Sequence, residues 1–179
     1  PRLYADVVHF LPRISVVIPS YNQAGFIGRT LESVVSQQYQ DLELIVIDGG
    51  STDGAWDVIR SFGAYTAYAE SEKDRGQSHA INKGLSRATG SVVTWLNSDD
   101  VLLPGALHAV ARVLDAAPGA QWITGSCLWI DSNDRILRAT ANPGWNQFGV
   151  MGRATSVGGP SSFMTKLLLE SVGMLDDCL

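Results

Sequence analysis

Short apolar runs alternate with amphipathic stretches along much of the chain. Residues 14–19 read ISVVIP and residues 42–47 read LELIVI, and such β-branched runs are typical of strands buried on both faces. Between them, apolar residues recur at helical spacing while polar residues take the opposite side, the apolar set being Ile27, Leu31, Val34 and Val35. The pattern therefore predicts two strands joined by an amphipathic helix over residues 26–37.

The alternation continues along the chain. Ser51 or Thr52 can cap the next helix, and Pro104 suits the first position of a later one, where its missing N–H costs no hydrogen bond. Further strands are predicted at residues 66–69, 91–96 and 122–130, and further helices through residues 56–59, 78–88 and 104–117. This predicts an α/β fold with a mostly parallel central sheet and helices on both faces, whose ligands bind at the carboxyl ends of the strands.

The length of 179 residues suits a single domain, and a hydrophobic fraction of 45% indicates a packed core. Residues 142–160 form a glycine-rich stretch that contains Trp145 and Phe148 but shows no apolar periodicity. We interpret this stretch as a mobile loop that closes over the site when ligand binds.

The charge balance narrows the possible partners. The chain has 13 basic and 18 acidic residues, a net charge of -5, and no run of Lys or Arg that could follow a nucleic-acid backbone. Cys127 and Cys178 lack metal-ligand spacing, and no apolar run approaches the length of a membrane span. We therefore expect a cytoplasmic protein without nucleic-acid partners or transmembrane segments. A nucleotide bound to it would need a cation or backbone N–H groups to balance its charge.

Acidic residues directly follow two of the predicted strands. Asp48 ends the run LIVID, and Asp99 and Asp100 follow WLNS. Parallel strands deliver these positions to one edge of the sheet, where carboxylates can bind a base or ribose and hold a hard divalent cation. Alternatively, Asp48 and Asp99 simply cap the turns that follow them. The adjacent charges of Asp99 and Asp100 repel each other unless a cation compensates, which favours a metal site.

Two glycine-containing loops can offer backbone N–H groups to an anion. Residues 49–54 read GGSTDG and residues 75–84 read RGQSHAINKG, but the first is not a Walker A loop and no dinucleotide-binding motif follows the first strand. Ordinary turns and a solvated helix cap explain these loops as well. His79 lies in the first turn of the following helix, where exposure to solvent is the default expectation.

Four motifs in this order resemble glycosyltransferase family 2, whose nucleotide-binding module has the GT-A fold. They are ISVVIPSYNQ at residues 14–23, LELIVIDGGSTDG at 42–54, SEKDRGQSHAINKG at 71–84 and WLNSDDVLLPGAL at 95–107. The resemblance implies inverting transfer of a sugar from a UDP- or GDP-type donor to a hydroxyl of a saccharide or lipid-linked acceptor. It also implies Mn²⁺ or Mg²⁺ as cofactor, and cell-surface polysaccharide assembly at the inner face of the membrane as the setting.

The resemblance assigns roles to individual residues. Pro19 and Tyr21 would border the base, and Asp48 would form a hydrogen bond with it. Asp99 would face the ribose and the metal, and Asp100 would be the firmer metal ligand in a DXD-type element. The donor-binding set implied by position is therefore Pro19, Tyr21, Asp48, Arg75, Gly76, Asn82 and Asp99.

Inversion needs a general base near the acceptor hydroxyl. Residues 159–177, GPSSFMTKLLLESVGMLDD, are similar to the family's lead-in to this base, which makes Asp176 and Asp177 the candidate catalytic residues. The family's usual base lies further along the chain. We therefore expect residues 1–179 to be one GT-A-like domain that is incomplete at its C-terminus.

Two other functions stay open at this point. A nucleotide-sugar-binding module without turnover would share these motifs and lack the downstream acid, and turnover measured on a longer protein would separate it from an enzyme. A sugar nucleotidyltransferase of related fold would carry a basic, glycine-rich loop after the first strand. Residues 20–25, SYNQAG, contain no basic residue, which favours a protein that uses sugar nucleotides rather than one that makes them.

Overall fold

The computed structural model describes residues 11–140 and 159–177. The strands are β1 Ile14–Ser20, β2 Leu42–Asp48, β3 Tyr68–Ser71, β4 Val92–Trp95, β5 Trp122–Thr124, β6 Cys127–Ile130, β7 Ile136–Thr140 and β8 Ser162–Thr165. The helices are α1 Ile27–Val35, α2 Ala55–Ser61, α3 Gln77–Arg87, α4 Ala106–Ala116 and α5 Lys166–Val172, with a 3-10 turn at Gly159–Ser161. None of the helices in this described part has the length and apolar character of a membrane span. Residues 142–158 of the predicted mobile loop lie outside the described residues.

The strands form a six-stranded sheet in the order β3-β2-β1-β4-β8-β5, and β6 and β7 form a separate two-stranded sheet. β1 pairs in parallel with both β2 and β4, and β2 pairs in parallel with β3. β8 is antiparallel to both of its neighbours, β4 and β5. The predicted α/β fold with a mostly parallel sheet is therefore confirmed, and the carboxyl ends of β1 to β4 meet at one edge.

Helices cover both faces of the sheet, as predicted. Ile14, Val16 and Ile18 of β1 belong to a core cluster with α1, α2 and α4, whereas Val17 belongs to a cluster with α3 and α5. α3 lies unusually close to the sheet, because a Cβ added at Gly84 would lie 2.3 Å from Val17 Cγ1. The continuous apolar run of β1 thus follows from burial on both sides.

Residues 122–130 form two strands rather than the predicted single one. Trp122–Thr124 pairs with β8 in the main sheet, and Cys127–Ile130 pairs with β7 in the two-stranded sheet. The chain leaves the main sheet at Gly125, whose N–H donates to Ser161 O at 2.9 Å. Glycine weakens a strand interior, and here it marks the bend between two sheets.

The predicted starts of two helices are also wrong. α2 begins after Gly54, with φ 97°, and the expected capping hydroxyl of Ser51 donates to Asp48 instead. α4 begins at Ala106 after Gly105, with φ 78°, and not at Pro104. In both cases a glycine in the left-handed region turns the chain into the helix, because it adopts positive φ without a side-chain clash.

A buried carboxylate anchors the end of the sheet opposite to those strand ends. Glu43, 5% exposed, accepts hydrogen bonds from Ser15 Oγ at 2.5 Å and from Thr89 Oγ1 at 2.6 Å. Thr89 N and Arg13 Nη2 donate to it at 2.7 and 3.1 Å. Burial alone would raise the pKa of the Glu43 carboxyl, but these hydrogen bonds lower it to about 2. Glu43 thereby ties β1 and β2 to the loop before β4.

Candidate functional site

A cavity of about 780 Å³ opens at the carboxyl ends of the parallel strands. Each of β1 to β4 contributes to its wall through its last residues or the loop that follows. Four residues predicted from the sequence lie on this wall, namely Pro19, Tyr21, Gly76 and Asp99. The structure thus brings together residues that are 80 positions apart in the sequence, as expected for parallel strand ends.

Two interlocked loops present Tyr21 to the cavity. The Tyr21 side chain is 63% exposed, and the next residue, Asn22, adopts a φ of 51°. Asn22 N donates to Ser51 Oγ at 2.8 Å, and Thr52 N donates back to Asn22 Oδ1 at 2.9 Å. These reciprocal hydrogen bonds join the loop after β1 to the loop after β2, so an exposed aromatic ring is held on a fixed backbone.

Asp48 lies beneath the cavity wall rather than on it. Its side chain is buried, and its carboxylate accepts hydrogen bonds from Gly50 N at 3.2 Å, Ser51 N at 2.9 Å, Ser51 Oγ at 2.5 Å and Ser71 Oγ at 2.5 Å. These contacts hold the turn at Gly49 and Gly50, which does line the cavity. A direct hydrogen bond from Asp48 to a base stays a prediction.

Ser20 carries a buried hydroxyl that faces this cavity. The residue is 3% exposed, and within residues 11–140 and 159–177 its Oγ has no hydrogen-bond partner. A buried polar atom without a partner is costly, and such atoms in native proteins generally have a partner in a ligand or an ordered water. Ser20 Oγ is therefore a candidate ligand contact that the sequence did not single out, because a serine in an apolar strand has no distinguishing pattern.

A chain of amide hydrogen bonds orients the acidic pair after β4. Gln77 Nε2 donates to Asn97 Oδ1 at 2.6 Å, and Asn97 Nδ2 donates to Asp100 Oδ2 at 2.9 Å. Burial raises the pKa of the Asp100 carboxyl and the charge of Asp99 raises it further, while the Asn97 hydrogen bond opposes the rise. A cation beside the pair would stabilise the ionised form that burial disfavours.

The donor set at this pair suits a hard divalent cation. Asp99 is exposed on the cavity wall, whereas the half-buried Asp100 lines a neighbouring, largely apolar groove of about 410 Å³ that Asp99 also reaches. In the part of the chain that the structure describes, no group of three or more His, Cys, Asp or Glu residues is arranged to hold a metal. Mn²⁺ or Mg²⁺ would therefore take two carboxylates from the protein and complete its shell with water and phosphate oxygens, as Mg²⁺ does at nucleotide sites.

The remaining predicted residues form a second group beside the cavity. Arg75 Nη2 lies 2.6 Å from Asp177 Oδ2, and this hydrogen bond lowers the pKa of the Asp177 carboxyl. The Asn82 amide binds the backbone of Leu175. Asp176 is exposed next to them. The structure thus brings predicted donor-loop residues together with the predicted catalytic pair.

Lys73 and Gln77 also line the cavity but were not singled out from the sequence. A signal for Lys73 exists, because it is the lysine of SEKDRG, two residues before the predicted Arg75. Gln77 is the first residue of α3, whose N-terminus has no side-chain cap. The cavity therefore combines a lysine with an uncapped helix N-terminus, a pairing that favours anions.

Comparison with known sequences places these features in context. Residues 15–164 match the family described as Glycosyl transferase family 2. An uncharacterised glycosyltransferase from Nostoc sp. is 33% identical over 141 residues, which are 74% of this chain and 42% of that protein. GalNAc(5)-diNAcBac-PP-undecaprenol beta-1,3-glucosyltransferase from Campylobacter jejuni is 30% identical over 122 residues, 66% of this chain and 39% of that protein. The chain thus spans about two fifths of the length of these relatives.

Solved structures with the same fold include two with bound nucleotide sugars. Mannosyltransferase PcManGT from Pyrobaculum calidifontis, in complex with GDP-Man and Mn²⁺, superposes with a TM-score of 0.68 at 23% identity and covers 94% of this chain and 48% of its own. TarS from S. aureus, in complex with UDP-GlcNAc, gives a TM-score of 0.68 at 20% identity over 89% of this chain and 47% of its own. These likenesses confirm the predicted GT-A type of fold.

Proposed function

Because the chain belongs to glycosyl transferase family 2, we propose that it is the donor-binding part of a metal-dependent, inverting enzyme that transfers a sugar from a nucleotide to an acceptor hydroxyl. The proposal rests on the cavity at the parallel strand ends, with Asp99 on its wall and Asp100 beside it. Structural neighbours that bind GDP-Man or UDP-GlcNAc support a donor of the GDP or UDP type.

In this proposal the cavity wall divides the donor between its parts. Pro19 and the exposed Tyr21 border the base, and the turn held by Asp48 lies beside them. Lys73 and the uncapped N-terminus of α3 attract the diphosphate, which offsets the net charge of -5. Each group sits at a different strand end, so the donor would lie across the edge of the sheet.

A divalent cation between Asp99, Asp100 and the donor would neutralise the charge that develops on the diphosphate leaving group. The contribution of the chain is to orient the ligands, since Gln77 and Asn97 fix the Asp100 carboxylate through two consecutive hydrogen bonds. Asn97 also holds Asp100 through one oxygen, Oδ2. A ligand fixed in this way loses little side-chain entropy when it binds a cation.

The acceptor side of the proposal is less built up by the described residues. A lipid-linked acceptor is supported by the relative from Campylobacter jejuni, whose name specifies an undecaprenol-linked substrate. We propose the same class, or a saccharide, for this protein, in cell-surface polysaccharide assembly on the cytoplasmic side of the membrane. Asp176 and Asp177 are the candidate bases, and the hydrogen bond from Arg75 makes Asp177 a weaker base than an ordinary aspartate.

Calorimetric titration of UDP, GDP and ADP, each with Mn²⁺ or with EDTA, tests the proposed function. We expect UDP or GDP to bind in the presence of Mn²⁺ and ADP to bind about tenfold more weakly, because a carboxylate or backbone acceptor near the base selects an imide N–H. ADP binding as tightly as both other nucleotides would exclude this base selectivity. If none of the three binds under either condition, the proposed function is wrong.

Replacing Ser20 with alanine should weaken nucleotide binding without destabilising the fold. The lost contact would reduce affinity by about 1 kcal/mol, while removal of an unpaired buried hydroxyl should leave the melting temperature unchanged or slightly higher. Ser61→Ala is a control, since this exposed hydroxyl binds Val58 O on α2. Unchanged affinity combined with a lower melting temperature for Ser20→Ala would make Ser20 a purely structural residue.

A further inference from the structure

The segment after α5, residues 173–177, is held against α3 and is called the C-terminal tail below. Asn82 Nδ2 donates to Leu175 O at 2.8 Å, and Leu175 N donates to Asn82 Oδ1 at 3.0 Å. Leu175 also packs against the core cluster between α3 and the sheet. Two hydrogen bonds to one backbone position, together with this packing, fix the tail along α3.

The fixed tail places Asp177 against the loop between β3 and α3. Asp177 is only 22% exposed and forms its ion pair with Arg75, whose guanidinium is 67% exposed. The two residues that flank Arg75, Asp74 and Gly76, both line the cavity. The ion pair therefore acts on the middle of a segment whose neighbours form the cavity wall.

This loop needs external support because of its backbone conformation. Gly76 has a φ of 117°, which is accessible to glycine, the residue that loses the most conformational freedom on folding. Local hydrogen bonds run from Gly76 N to Asp74 Oδ1 at 2.8 Å and from Arg75 N to His79 Nδ1 at 3.3 Å. The ion pair to Asp177 adds a contact with a residue 102 positions away in the sequence.

We propose that Asp177 is a positioning residue for the nucleotide site, which holds the loop at residues 74–76 in its binding conformation through Arg75. The inference rests on the proposed function, because it concerns the same cavity. It differs from the role implied by the family resemblance, in which Asp177 accepts a proton from the acceptor.

The sign of one substitution separates the possible roles. Removal of a negative charge near an anion site would by itself strengthen binding of a nucleotide diphosphate, because like charges repel. Removal of a general base would leave nucleotide binding unchanged, since the base acts on the acceptor. Only loss of a positioning contact weakens nucleotide binding.

The experiment is a calorimetric titration of UDP or GDP, whichever binds more tightly to the unmodified protein, in the presence of Mn²⁺. We expect Asp177→Asn to weaken binding by about threefold to fivefold, the range of a partly exposed ion pair. Asp177→Glu keeps the carboxylate and should stay within about twofold of the unmodified protein. Asp57→Asn is the matched control, because it removes an exposed aspartate that pairs with Arg60 on α2.

Unchanged or tighter nucleotide binding by Asp177→Asn would overturn the inference and leave the proposed function standing. Equal weakening by Asp177→Asn and Asp177→Glu would also overturn it, because the longer carboxylate can still reach a flexible guanidinium. Absence of nucleotide binding by the unmodified protein would contradict the proposed function itself. Melting temperatures of all variants, measured in parallel, separate a local effect on the loop from a loss of folded protein.

Discussion

Replacement of Glu43 by glutamine is expected to lower the free energy of unfolding by about 2 to 3 kcal/mol at pH 7. The carboxylate is 5% exposed and is the common acceptor for donors from Ser15, Thr89 and Arg13. A glutamine has the same shape, but its amide group would turn a donor toward these donors and would remove the charge that pairs with Arg13. Chemical denaturation followed by fluorescence of the tryptophans measures the change.

The same carboxylate should make stability depend on pH in the acid range. The pKa of Glu43 is about 2 in the folded protein, against 4.5 as its ordinary value. Because the folded pKa is the lower one, the unfolded chain binds the proton more tightly, so the contribution of Glu43 is complete above about pH 4.5 and is lost as the pH falls toward about 2. Glu43→Gln should therefore show a smaller loss of stability between pH 5 and pH 3 than the unmodified protein.

Asp41→Asn is the matched control for Glu43. Asp41 also pairs with Arg13, at 3.3 Å, but both of these side chains are nearly half exposed. Its replacement should cost less than about 1 kcal/mol, because solvent screens exposed ion pairs. Equal losses for Asp41→Asn and Glu43→Gln would mean that burial and the hydroxyl donors add nothing to the Glu43 anchor.

The sequence predicted the elements whose pattern reports their own burial. The runs at β1 and β2 are apolar throughout because both faces are covered, and α1 has one apolar face because only one side meets the sheet. It failed at Gly54, Gly105 and Gly125, where backbone conformation decides how elements start and end. A glycine permits several conformations, so its identity does not say which one the fold selects.

Prediction of the site followed the same division. The parallel order of strands was enough to bring Pro19, Tyr21 and Asp99 to one cavity, because strand ends share an edge. The hydroxyl of Ser20 and the contact between Arg75 and Asp177 depend on side-chain directions and on the path of a distant segment. No spacing rule in the sequence encodes either feature.

Replacement of Asp100 by asparagine is expected to weaken metal-assisted nucleotide binding by about 2 kcal/mol or more. Asparagine keeps the shape and can still accept the hydrogen bond from Asn97, but it removes the charge that would hold the cation. Without a cation, a diphosphate beside Asp99 and Asp100 is repelled, so affinity in EDTA should be low for both proteins. Titration of UDP into each protein, with Mn²⁺ or with EDTA, measures all four affinities.

Fold stability should change in the opposite direction from binding. Burial and the charge of Asp99 raise the pKa of Asp100, so its ionised form is disfavoured in the folded protein and its removal relieves that penalty when no metal is present. Asp57→Asn removes the same charge from the exposed surface of α2 and should leave nucleotide binding intact, which excludes a general effect of net charge. Asp99→Asn should have a smaller effect than Asp100→Asn if Asp100 is the principal ligand. Identical UDP affinities with Mn²⁺ and with EDTA in the unmodified protein, left unaltered by Asp100→Asn, would rule out the metal site and leave both aspartates as turn residues.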